Sequence, residues 1–169
     1  MKTVRISLKK NEILYDIDAL TYKKAEASLQ DADIKIRNAV SSDSAENLDG
    51  SIISRFADYR DSELREMLMF CLIPSPVPYA DNIQEQAPSY EYRLAVDRRF
   101  DGNRLKIAAQ KMHQYIVMGA TYDWYINLSV TPPFSRMEIE STGEEIVGLL
   151  RGRSWRTRPM QPFGPAGHI

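Results

Sequence analysis

The chain has 169 residues, 43% hydrophobic and 27% charged, enough to bury the core of one ordinary domain and too apolar for a wholly disordered chain. A single cysteine, Cys71, excludes an internal disulfide framework, and no apolar run approaches the roughly 18 residues of a membrane-spanning helix. The formal charge of −1 hides a division: the last nineteen residues hold four arginines and no acid, so they carry +4 while residues 1–150 carry −5.

Val4, Ile6 and Leu8 alternate on one face, and so do Ile13, Tyr15 and Ile17. With Lys9-Lys10-Asn11-Glu12 between them, the two runs predict an N-terminal hairpin or a pair of short strands. Met1-Lys2-Thr3 runs straight into this pattern, which predicts no secretory leader and synthesis in a reducing, intracellular compartment. Asp18 offers acceptors to the free amides of a helix start, and Tyr22, Ala25, Leu29, Ala32, Ile36 and Val40 recur at helical spacing, predicting a helix from about Ala19 to Val40. The polar, acidic stretch 41–50 reads as a flexible linker.

From Ile52 the spacing is helical again. Ile53, Phe56, Leu64, Met67, Leu68 and Cys71 fall on one side, with Asp58, Arg60, Asp61 and Glu63 mostly on the other, until Pro74, Pro76 and Pro78 end the run. Residues 73–89 contain four prolines and little periodicity, which predicts a long flexible loop able to serve as a contact arm. Tyr92, Leu94 and Val96 then alternate with Arg93, Ala95 and Asp97, predicting a strand over about 91–97 that pairs with the N-terminal hairpin.

Asp101-Gly102-Asn103 turns the chain and caps a helix predicted over about 103–128. Leu105, Ala108, Met112, Tyr115 or Ile116, Gly119 and Tyr122 form its apolar stripe, widened by Ala109, Ala120 and Ile126, so most of its circumference should be covered. Gly119, beside Ala120 and along from Ala108-Ala109, predicts close approach by another helix backbone. Pro132-Pro133 stops this helix, and a weaker one over about 137–150 carries Ile139, Ile146, Leu149 and Leu150 but is interrupted by Gly143 and Gly148. The expected fold is mainly α (α+β): one globular domain over 1–150, a helical bundle around the long central helix with a small antiparallel sheet, then an extended, basic, Pro/Gly-rich tail over 151–169.

Residues suited to chemistry are few. His113 and His168 are the only histidines, no Cys/His cluster has zinc spacing, and no Gly-rich loop precedes a lysine. Asp31 and Asp33, and Glu138, Glu140, Glu144 and Glu145, have the spacing of solvated helix faces. His113 reads as a structural histidine and Cys71 as a small core hydrophobe. The expectation is therefore a non-enzyme with no catalytic residue, cofactor or metal. In the tail, Arg151, Arg153, Arg156 and Arg158 surround Trp155 with no carboxylate, a pattern suited to partner binding through charge-assisted hydrogen bonds and one aromatic anchor. Four arginines give a modest counterion-release contribution, which the acidic body opposes, so a protein partner is favoured over nucleic acid.

The order Tyr15-Asp16-Ile17, then His113-Gln114-Tyr115 and Asp123-Trp124 in a late helix, then Arg151-Gly152-Arg153 in a basic tail, resembles small proteins encoded among the virion structural genes of phages and prophages of Bacteroides-type bacteria. In outline the chain also looks like head-tail connector or neck proteins, which form rings between portal and tail. The resemblance implies a virion component made in the bacterial host cytoplasm, with copies of itself and portal or tail components as partners, and no membrane. It supplies no catalytic residues. The alternative is a small nucleic-acid-binding or DNA-packaging accessory protein using Arg93, Arg98, Arg99 and the arginine tail.

Overall fold

In a computed structural model of the chain, residues 1–27, 52–74, 88–98 and 100–151 are described. In chain order they form strand β1 (Lys2–Lys9), helix α1 (Lys10–Ala27), helix α2 (Ile52–Met67), strand β2 (Ser89–Val96), helix α3 (Gly102–Asn127) and helix α4 (Arg136–Leu150). The architecture is mainly helical α+β: among the described residues, four helices and one two-stranded antiparallel sheet. β1 and β2 run in a register that sets Lys2 opposite Val96 and Lys9 opposite Ser89. Alternation turns Ile6, Leu8, Tyr90, Tyr92, Leu94 and Val96 into the core and leaves Arg5, Ser7 and Glu91 exposed. The other edge of β2 is covered by the segment after α2, where Leu72 bridges Leu94 and the Ile73 amide donates to the Arg93 carbonyl at 2.7 Å.

The hairpin expectation is half corrected. β1 forms as read, but Ile13, Tyr15 and Ile17 lie in α1, and the partner of β1 is β2. Ile13, Leu14, Ile17 and Thr21 are all fully buried, spaced as one face of a helix, while Tyr15 is 70% exposed. Leu14 is the residue that breaks the alternation. The helix therefore begins at Lys10, well before Ala19; the rest of the stretch predicted to reach Val40, the linker 41–50 and most of the predicted loop (75–87) lie outside the described residues.

α2 also buries more than its apolar side. Ala57, Asp61, Leu64 and Leu68 follow one buried stripe, so Asp61 points inward, and Arg60 is nearly covered as well. Cys71 is not helical: it lies in the turn after α2, and its carbonyl accepts from the Ala95 amide at 2.7 Å.

α3 is the central helix, packed against α1, α2 and α4, with every residue from Tyr115 to Thr121 buried. Each fully buried large aliphatic side chain here, such as Met112 or Ile116, contributes about 1.5–3 kcal/mol of transfer free energy. Ile126, read as part of the stripe, is instead 51% exposed. The Asp101 side chain caps the start of α3 by accepting from the Asn103 amide at 3.1 Å. At its other end the Ser129 amide donates to Ile126 and the Val130 amide to Tyr125, a Schellman closure with Ser129 at φ 57°. α4 opens on a capping box in which the Ser135 hydroxyl accepts from the Glu138 amide and the Glu138 carboxylate accepts from the Ser135 amide.

Candidate functional site

Arg60 is the polar centre of the α2/α3 contact. Its Nε and Nη2 donate to the two oxygens of Asp123 at 2.7 and 2.6 Å, and its Nη1 donates to Glu63 Oε2 at 2.6 Å. Burial works against this guanidinium charge, but the two carboxylates more than offset it and hold the group above its ordinary pKa. Gly119 makes the arrangement possible: a Cβ there would stand 2.7 Å from Arg60 Cδ. The glycine expected to admit a helix backbone admits an arginine side chain instead.

Between α2 and the sheet, two further ionic groups repeat one pattern, a cation and a tyrosine sharing a carboxylate. Lys10 Nζ lies 3.0 Å from Asp58, which accepts from Tyr90 at 2.7 Å. Arg65 Nε donates to Asp61 at 2.7 Å, and Asp61 also accepts a short hydrogen bond from Tyr92. Asp58 and Asp61 lie one helical turn apart on α2, facing Tyr90 and Tyr92, which share one face of β2. Burial first, and the neighbouring carboxylate second, push both phenols well above their ordinary pKa. These groups tie α2 to the sheet and to the start of α1.

The face of α4 towards α2 and α3 is different. Met67, Tyr115, Gly143, Val147 and Gly148 floor an open trough of about 630 Å³. Gly143 lies where a side chain would crowd Met67 Sδ at 3.1 Å, whereas a Cβ at Gly148 would meet nothing within 4 Å. Glu140 and Glu144 form the acidic rim, and Arg151 stands at one end. Glu140 is paired with Arg136 at 2.9 Å, while Glu144 has no ion-pair partner among the described residues. Beyond Tyr115 and Glu140 the trough continues into a more polar groove beside Tyr59, Tyr122 and Asp123.

Of the predicted partner-binding residues, Arg151 is exposed at the end of α4, with its amide donating to Val147 at 2.9 Å and its guanidinium 4.9 Å from the Phe70 ring centroid. Arg153, Trp155, Arg156 and Arg158 lie outside the described residues. The trough beside Arg151 was missed by sequence reasoning. Its one visible signal is the pair Gly143 and Gly148, read there only as helix interruptions.

Four of the residues that carry the family resemblance, Asp16, His113, Tyr115 and Asp123, link one helix to another. His113 Nε2 on α3 meets Asp16 Oδ2 on α1 at 2.7 Å, Asp123 receives Arg60, and Tyr115 donates to Glu63 at 3.3 Å. Trp124 is buried and packs edge-on to Tyr125 with ring centroids 5.1 Å apart. Cys71 is buried, which pushes its thiol up to about 11 against an opposing effect of Arg151. On the outward face of the sheet Arg5 stands directly opposite Arg93.

Among the described residues, no group of three or more His, Cys, Asp or Glu side chains is placed to hold a metal ion, and no helix is long and apolar enough to cross a membrane. Comparisons of the chain with protein-family models, with curated proteins and with solved structures find no match.

Proposed function

We propose that this chain is a non-enzymatic virion structural protein of a phage or prophage, a head-tail connector, neck or tail-completion subunit that assembles with copies of itself and with portal or tail proteins. The observation that carries the reading is the apolar, acid-rimmed trough on α4 beside Arg151, the point from which the basic segment departs. A helical body locked internally by the Arg60, Asp58 and Asp61 groups is a rigid part, and a rigid part presenting a groove and a charged arm is suited to repeated docking. The motif order that resembles virion structural proteins agrees with that use. Electron microscopy of the concentrated protein, alone and with a portal protein from a related phage, tests it: closed rings or decorated portals are expected. A dispersed monomer that decorates nothing contradicts it.

A second reading, a nucleic-acid-binding or DNA-packaging accessory protein, draws on Arg5 and Arg93. Like charges directly opposed across strands repel, and a phosphate between them would relieve the repulsion. Duplex DNA binding that weakens steeply with salt and is reduced in Arg93→Gln is the expected result for that reading. Absence of binding at low salt removes it.

A further inference from the structure

We propose that the α4 trough is the receptor for the basic segment 153–158 of a second copy of this chain, with Trp155 seated on the trough floor and Arg153 and Arg156 on its acidic rim. The inference rests on the assembly reading above and names the contact through which assembly occurs.

Three observations carry it. The floor of Met67, Tyr115, Val147 and two glycines is apolar and open, a surface that suits one flat aromatic side chain, and its volume of about 630 Å³ leaves room for an indole and the residues beside it. The rim is acidic next to that floor, and Glu144, which has no ion-pair partner among the described residues, offers a carboxylate to an incoming guanidinium. The segment 153–158 supplies the complement, three arginines and one tryptophan without an acid. Arg-Ser-Trp-Arg places a cation one and two residues from the indole, so aromatic and cation can engage floor and rim together.

The geometry favours a second copy over the same chain. The trough runs from Arg151 back along α4 towards Glu140. The trough therefore runs opposite to the chain direction of α4, and only four residues, about 14 Å fully extended, separate Arg151 from Trp155. Entering its own trough would require reversal within that span, whereas a neighbour's segment meets no such constraint.

Thiol cross-linking of the full chain tests this. Gly148→Cys projects a thiol into open space, and Ser154→Cys places one beside Trp155 without removing it; Cys71 is buried, and unmodified protein provides its control. Mixing Gly148→Cys chains with differently tagged Ser154→Cys chains and a short bis-maleimide is expected to give cross-linked heterodimers. Adding Trp155→Ala to the Ser154→Cys chain, or Glu144→Lys to the Gly148→Cys chain, should lower the yield about tenfold, as loss of a hot-spot anchor does. A heterodimer yield no higher than that of the unmodified control overturns the proposal. If the double variant Gly148→Cys/Ser154→Cys cross-links within one chain at a rate independent of concentration, the trough belongs to the chain's own tail and the proposal is also overturned. Light scattering on the same samples separates the two claims: oligomers without the 148–154 cross-link remove the trough assignment and leave the assembly reading standing, while monomers without it remove the trough assignment and self-assembly together.

Discussion

Gly119 and Arg60 share one space: the aliphatic stem of Arg60 occupies the position a side chain at residue 119 would need, and its guanidinium is fixed beyond that point by both oxygens of Asp123. The glycine sits in the middle of a buried helix, where it costs about 1 kcal/mol against alanine. A side chain there is opposed sterically because the stem has little room to move aside while its head is held at two points.

Gly119→Ala should therefore destabilise the protein by about 1–2 kcal/mol, the helix gain being outweighed by displacement of a largely buried ion pair. In an Arg60→Ala background the same substitution should become stabilising by about 1 kcal/mol, because the obstacle is gone. Urea unfolding of the four members of the cycle measures the change of sign, and additive effects would contradict the steric account.

Ser129 closes α3 at φ 57°, a left-handed conformation that costs a residue with a Cβ roughly 1 kcal/mol. Ser129→Gly should raise stability by about that amount. A fall in melting temperature on this substitution would show that the serine side chain contributes something the backbone geometry does not.

The Thr121 hydroxyl is buried in the middle of α3 without a hydrogen-bond partner among the described residues. Thr121→Val keeps the shape and removes an unsatisfied polar atom, so a gain of about 1 kcal/mol is expected. Denaturant midpoints at unchanged m-value are the measurement, and a loss of stability would mean the hydroxyl is satisfied.

Alkaline pH should unfold the protein through Tyr90 and Tyr92. Burial and the adjacent Asp58 and Asp61 carboxylates raise both phenols above their ordinary value of 10.0. With the folded value above the unfolded one, the stabilising contribution is complete below that pH. It is lost progressively as pH rises past it, when the unfolded chain releases protons that the folded chain retains. Urea stability should thus fall with pH in this range more steeply for the parent than for Tyr92→Phe, and equal slopes would contradict the assignment.

How much of this was legible follows from what periodicity encodes. α3 was readable because its stripe is long and nearly all apolar, and its cap was readable from Asp101. α1 was misread because Ile13, Tyr15 and Ile17 satisfy a period of two, and only Leu14 between them reveals the helix. Arg60 and Asp61 were placed mostly on the side opposite the apolar stripe, yet partners 63 and 31 residues further along the chain, Asp123 and Tyr92, bring them inside. The arginine segment stood out by composition alone. Its proposed receptor did not, because the trough is assembled from α2, α3 and α4 and its most telling residues are two glycines with no side chain to read.

The central claim is assembly through the basic segment, and light scattering behind size exclusion tests it most directly. The whole chain and a version ending at Leu150 would be compared across protein concentration at low and high salt. A discrete oligomer of the whole chain, weakened by salt and absent from a truncated version that remains folded, is the predicted result. The same oligomer from both chains, or a monomer from the whole chain at every concentration and salt, would contradict it.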